Sequence, residues 1–472
     1  MDDPNSEMNG GNLIMLEPVL EEAGFNITWK RPKALSEIDL IWTRILHTRD
    51  VHKGYFNRIE AHQRVNHIKS ISYFSSKLAL LMAVPHLLPK SFNLPEEFSE
   101  WKKVAVSNPN WKWVTKSKGH RNVNFLNDPL SVTSLASLQN MKINVQDTLV
   151  QRFIENPLLI DNYKFEIGFY VLATSTLPTR MYFHQNRIFN RFCMFPYEPF
   201  NPANRRSYVT DVQYKTADQI PSLKKYLDAK VSLFDGLIHY LKKNGYDSDG
   251  FENNVIEIVT ETMYKLKPLW FQKSNVAIKT TDDETINEDG SSRNFAIFRF
   301  DFNIEDLGDG SLHPWLLEIT FSPNLNTGLH TKGLANILYD VLSTTGALKY
   351  GKPWQDEEKG NESGEFNDED LPRLGCDEIC TKEEIEREDY CRICSMKTFP
   401  KHAIGMIRQT ISEQLGKRQF KRVIPPAPSR DQSWKEYMAH LDKLSGKTQS
   451  PKDKILATWL YLACQKQKLW CY

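Results

Sequence analysis

The 472-residue chain lacks any run of about 18 consecutive apolar residues, so no helix able to span a bilayer is expected. It also lacks an excess of either charge. Sixty Lys and Arg stand against 59 Asp and Glu, and a net charge of +1 creates no global field to draw the chain to DNA or an anionic membrane. No nucleic-acid recognition module accompanies its basic stretches, which excludes that partner class. The opening, MDDPNSEMNGGNLIML, has no basic segment followed by an apolar one. A secretory leader is therefore not expected, and a secretory compartment stays open only if this start is truncated. Cysteine is scarce: seven is an odd and modest number for an oxidising compartment, so a soluble, cytoplasmic protein is expected.

What is present is enough for a large core, with 40% apolar and 11% aromatic residues. The segments NWKWVTKS, TLVQRFI, KFEIGFYVLATS and RMYFHQNRIF read as strands, as do FAIFRFDFNI and HPWLLEITFS around the turn-rich EDLGDG. VNHIKSISYFSSKLALLMAV and SLKKYLDAKVSLFDGLIHYLKKNG are each apolar at helical spacing, and FENNVIEIVTETMYKLKPLW and GLANILYDVLSTTG also read as helices. Alternation of this kind predicts a mixed α/β (α+β) fold. Residues 1–30 are expected to be flexible and residues 38–350 to form the main domain. Composition then changes. Residues 356–389 hold fifteen acids against four Lys or Arg, and residues 392–472 hold sixteen Lys or Arg against five acids. The expectation is an acidic, cysteine-containing linker over 356–396 and a basic helical appendage over 397–472.

Two acids sit in apolar strands, Asp301 in FRFDFN and Glu318 in LLEITF. Residues i and i+2 of a strand share a face, so Glu318 and Thr320 point one way, and a neighbouring strand can bring Asp301 beside them. Carboxylates so placed suit a small hard cation bridging nucleotide phosphates, and equally suit two solvated acids. Cys376, Cys380, Cys391 and Cys394 form two close pairs, a spacing compatible with a structural four-thiolate Zn2+ site, with disulfides or with free thiols.

The surroundings narrow the choice. PWLLEITFSPNL resembles the signature strand of the tubulin-tyrosine ligase-like family, Pro-Trp-Leu-Leu-Glu-Val-Asn-x-Ser-Pro-x-Leu. IWTRI, VNHIKSISYFSSKLAL, LLPKSFNLP and QRFIENPLLIDNYKFEIGFYVLATS resemble further segments of it, in the same order, over about residues 38–350. The resemblance implies an ATP-grasp fold and a ligase that uses ATP and Mg2+ to activate a carboxylate as an acyl phosphate, which an amino acid's amine then attacks. It implies tubulin or another acidic-tailed protein as acceptor, a free amino acid (glutamate favoured) as co-substrate, a monomer, and microtubule association. Carried onto this chain, Asp301, Glu318 and Thr320 would face the metal. Lys116 and Lys164 would contact phosphate, helped by Lys118 and Gly119. Gln151, Arg152, Phe153 and Ile154 would form the adenine hinge, and Arg191, with Lys164, would act at the reacting groups.

The chain departs from the pattern at three places. Thr320 stands for an asparagine, Gly168 stands for an arginine, and KSKGHRNVNF replaces a glycine-rich run with one glycine, Gly119. The alternative these departures raise is a pseudoenzyme kept as a nucleotide- or tubulin-binding module.

Overall fold

The computed structural model describes residues 15–28, 37–42, 60, 62–68, 71–119, 123–210, 213–274, 291–321, 323, 331–350, 379–393, 401–446 and 449–471. Among the described residues, twelve strands fall into three sheets. β1 (Leu40–Ile41) and β2 (Arg64–Val65) form a short parallel pair. β3 (Ser91–Asn93), β4 (Trp113–Ser117), β5 (Val123–Leu126) and β6 (Thr148–Arg152) form a four-stranded sheet in the order β3-β6-β4-β5. The large sheet contains β7 (Leu159–Ile160), β8 (Tyr163–Thr176), β9 (Thr179–Phe192), β10 (Ala296–Asp306), β11 (Leu312–Phe321) and β12 (Phe420–Ile424). Its order is β11-β10-β8-β9-β12, with β7 on β8.

β8 and β10 are the central strands of the large sheet, and their sequences show it. Residues 167–176 are buried without a break, as are Ala296 to Glu305. Both faces of such strands meet protein, and on β10 the buried apolar residues Phe298, Phe300, Phe302 and Ile304 alternate with the equally buried polar residues Arg299, Asp301, Asn303 and Glu305. On one face Phe169, Val171, Phe183, Phe298, Phe300 and Phe302 join the main core. The four-stranded sheet has its own small core around Trp101, Trp113 and Val150.

Several expectations change. VNHIKSISYFSSKLALLMAV is not one helix: a 3-10 turn (Ile71–Ser75) precedes the helix Lys77–Ala83, which the Ser76 side chain caps. SLKKYLDAKVSLFDGLIHYLKKNG is two helices, Pro221–Asp228 and Leu233–Lys243, separated where Lys230 adopts φ 61° and Ser232 caps the second. Within the expected flexible N-terminus, Leu16–Glu22 is helical, with Leu16, Val19 and Leu20 buried against the helix Thr331–Thr344.

The C-terminal region is not an appendage. Strand β12 pairs antiparallel with β9 and closes that edge of the large sheet. Ile411, Val423, Leu456, Trp459 and Leu460 belong to the same core as the central strands. Arg180 of β9 is fully buried and bonded through two nitrogens to Glu413, at 2.9 and 3.2 Å, and Tyr182 donates to the same carboxylate at 2.8 Å.

The zinc alternative is not supported. Cys380 and Cys391 are joined in a disulfide, which leaves neither sulfur free to ligate zinc. Cys376 and Cys394 lie outside the described residues. A second disulfide, Cys464–Cys471, was not expected. Of the 356–396 segment only 379–393 is described, and it holds two short helices, Lys382–Arg387 and Asp389–Arg392.

Candidate active site

Strand alternation brings charged side chains to one face of the large sheet. On β8, Lys164, Glu166, Gly168 and Tyr170 alternate with the apolar residues of the core face. On β9, Arg191 lies opposite Glu166 and Phe189 opposite Gly168. On β10, Asp301 lies opposite Gly168 and Arg299 opposite Tyr170. On β11, Glu318 lies opposite Asp301 and Thr320 opposite Arg299. Asp301, Glu318 and Thr320 therefore do share one face, and Arg191 and Lys164 join them.

The four-stranded sheet supplies Lys116 from β4. Half-buried, its ammonium interacts with Glu166 and Glu318 as well as Lys77 and Lys164, so the two sheets face each other across this cluster. Burial is the main reason the Lys116 pKa falls to about 8, with the carboxylates partly offsetting it. Lys164 is only 6% exposed and its pKa is lowered, again by burial first. Its Nζ lies 4.8 Å from the centre of the Phe153 ring. Arg191 donates to Glu166 at 2.7 Å and stands 3.6 Å from Asp301.

The remaining expected binding residues divide. Lys118 is not in this cluster: its ammonium donates to the carbonyls of Leu94 and Gln146, each at 2.7 Å, and so ties the loop to the four-stranded sheet. The Gly119 carbonyl accepts from Lys77 at 2.7 Å. Gln151 is buried and its side chain donates to Ser91. The N–H groups of Arg152 and Phe153 are spent on the carbonyls of Lys90 and Lys112. Ile154 follows them, buried, and the Phe153 ring lines an aromatic group with Phe125, Phe200 and Tyr208. The Arg152 side chain pairs with Glu305 at 2.7 Å.

Three cluster members were missed in the sequence. Lys77 lies 3.6 Å from Glu318 and reaches the cleft from the helix Lys77–Ala83. Glu166 is the partner of Arg191. Arg299 is the third, and it changes the reading of Asp301. Its Nε donates to one Asp301 oxygen at 2.6 Å and its Nη2 to the other at 2.7 Å. Asp301 is 1% exposed and Arg299 8% exposed. The i, i+2 spacing in FRFDF was the available signal, since like-facing Arg and Asp on a buried strand are natural partners.

The fit to magnesium follows from this donor set. Mg2+ takes a near-octahedral shell of oxygens. Both Asp301 oxygens already accept short charged bonds from Arg299, and Glu318 faces Lys77. As arranged, Asp301 does not fit a metal ligand. Among the described residues no group of three His, Cys, Asp or Glu is placed to hold a metal ion.

A sequence profile of the Tubulin-tyrosine ligase family matches residues 54–352. The chain belongs to that family. This ligase-family chain is 27% identical over 476 residues to the probable tubulin polyglutamylase ttll-15 of Caenorhabditis elegans, a match covering 98% of this chain and 84% of that protein. It is 29% identical over 274 residues to the tubulin polyglutamylase TTLL5 of Homo sapiens, covering 55% of this chain and 19% of the relative. With the tubulin polyglutamylase TTLL6 of Mus musculus it shares 25% identity over 337 residues, covering 68% of this chain and 37% of the relative. The chain thus spans under two fifths of these mammalian relatives. The match to ttll-15 includes the C-terminal unit.

Proposed function

We propose that the chain is an ATP-dependent ligase that joins an amino acid, glutamate favoured, to tubulin or another acidic-tailed protein. One observation carries the reading. Five cations, Lys77, Lys116, Lys164, Arg191 and Arg299, converge with three carboxylates, Glu166, Asp301 and Glu318, at the cleft between two sheets. An excess of positive charge in a partly buried site is costly unless an anion shares it, and a nucleotide polyphosphate supplies several negative charges.

In this reading Lys116 and Lys164 neutralise phosphate from opposite sheets. An acceptor carboxylate oxygen attacks the terminal phosphorus of ATP and ADP leaves. The amine of the incoming amino acid then attacks the acyl carbon, and phosphate leaves as the amide forms. Arg191, braced by Glu166, is placed to orient a carboxylate near the reacting groups. The names of the relatives, polyglutamylases in each case, support glutamate as the amino acid. Enzymes of this family use ATP and Mg2+.

The alternative, a nucleotide-binding module without turnover, is favoured by the occupied Asp301 carboxylate. Mass spectrometry separates the two. The full chain is incubated with ATP, isotope-labelled glutamate and acidic C-terminal peptides of tubulin. The ligase reading expects a peptide carrying labelled glutamate. Nucleotide binding without any labelled product supports the module.

A further inference from the structure

Gly168 has a neighbour that gives its missing side chain a purpose. A Cβ at this position would stand 2.7 Å from Arg299 Cδ, 3.0 Å from Arg299 Cγ and 2.7 Å from Asp301 Oδ1. Carbon atoms do not approach so closely, so any side chain at 168 displaces Arg299 or the carboxylate it holds. The aliphatic stem of Arg299 thus passes over Gly168 and leads to its guanidinium. The centre of that guanidinium lies 4.5 Å from that of the Phe189 ring, and Phe189 is the β9 partner of Gly168. Across β11 the residue opposite Arg299 is Thr320, which is short and β-branched. Tyr170, opposite Arg299 on the other side, interacts with the same guanidinium. Glycine, arginine and threonine on three adjacent strands thus form one fitted set.

We infer that Arg299 is a resident cation of the cleft, seated by Gly168, that holds both oxygens of Asp301 in place of a divalent ion. The inference rests on the nucleotide-site reading above. A guanidinium matches a carboxylate with two parallel bonds, is always charged and is never released, whereas a metal ion must be captured from solution. Arg299 acts as a positioning residue: it fixes Asp301 and contributes charge toward the phosphate side of the sheet. The consequence is a site whose nucleotide affinity depends little on magnesium.

The test is calorimetric titration of a non-hydrolysable ATP analogue into the full chain, with chelator and with millimolar Mg2+. The variants are Arg299→Gly, Gly168→Ala and the two combined. The native chain is expected to show less than about a threefold change in affinity on adding magnesium. Arg299→Gly opens the Asp301 oxygens and is expected to raise that response to about tenfold or more. Gly168→Ala is expected to act in the same direction, because it dislodges Arg299, and to add nothing once Arg299 is gone. If Arg299→Gly does not fold, Gly168→Ala alone decides. A native chain that already needs magnesium by about tenfold, or variants whose magnesium response equals the native one, overturns the proposal. Absence of binding by the native chain under both conditions overturns the nucleotide reading itself, and the proposal with it.

Discussion

Burial holds the Lys116 ammonium at a pKa of about 8, against 10.5 for a free lysine, and this fixes two opposite pH effects. Between those values the unfolded chain binds more protons than the folded one, so through this group the stability of the ligand-free protein rises with pH. Phosphate needs the protonated form, so nucleotide affinity is expected to fall as pH rises through about 8. Titrations below and above that pH check it, and Lys116→Met should flatten the profile. At Asp301 the structure alters what substitution should do. As a metal ligand the residue would be replaceable by alanine with the fold intact. Held by Arg299 and almost fully buried, it is not: Asp301→Ala leaves an unpaired buried guanidinium, a change expected to cost about 3–5 kcal/mol. Chemical denaturation measures this, and a stability within about 0.5 kcal/mol of the native chain would mean that the pair is not formed. Asp301 and Glu318 were legible in the sequence because they interrupt apolar strands. Glu166 was not, because only the pairing of β8 with β9 sets it opposite Arg191, and Arg299 was not, because an arginine and an acid two apart on a strand read equally as a solvated pair.

Strands β8, β9, β10 and β11 were legible almost to their ends. Long β-branched and aromatic runs bounded by Leu177-Pro178 and by EDLGDG leave few other solutions. The split between Pro221–Asp228 and Leu233–Lys243 was not, because apolar spacing continues through the break. What ends the first helix is a left-handed Lys230, a conformation that no residue preference in KKYLDAKVS announces. The largest miss among elements is β12. FKRVI is short and carries two basic residues, and nothing local says that it pairs with β9. Its anchoring is tested at Glu413, the buried partner of Arg180. Glu413→Ala is expected to destabilise the chain by about 3–5 kcal/mol through the stranded guanidinium. Replacing Arg180 and Glu413 together with methionines should recover part of that loss, and equal losses for single and double variants would deny the pairing.

For the whole molecule, net charge was a poor guide to architecture. Sixteen basic residues made the C-terminal eighty look like a solvated tail, yet Ile455 to Cys464 is buried at every position. A helix apolar on all sides belongs in a core, and that pattern, not the charge count, was the signal for docking. Deleting residues 401–472 is therefore expected to expose the β9 edge and the core beneath it, giving an insoluble or molten chain instead of a folded one with weaker acceptor binding. Circular dichroism and gel filtration decide between these outcomes. The disulfides Cys380–Cys391 and Cys464–Cys471 lie in the same C-terminal region, so reduction should lower the melting temperature of the native chain. The proposed activity depends above all on one site where cations from two sheets converge. Calorimetric titration of an ATP analogue into the full chain tests this most directly, with a Lys116→Met/Lys164→Met chain as comparison. Binding by the native chain that falls by more than about tenfold in the variant is the predicted result. A native chain that takes up no nucleotide, or a variant that binds as well as the native chain, would contradict it.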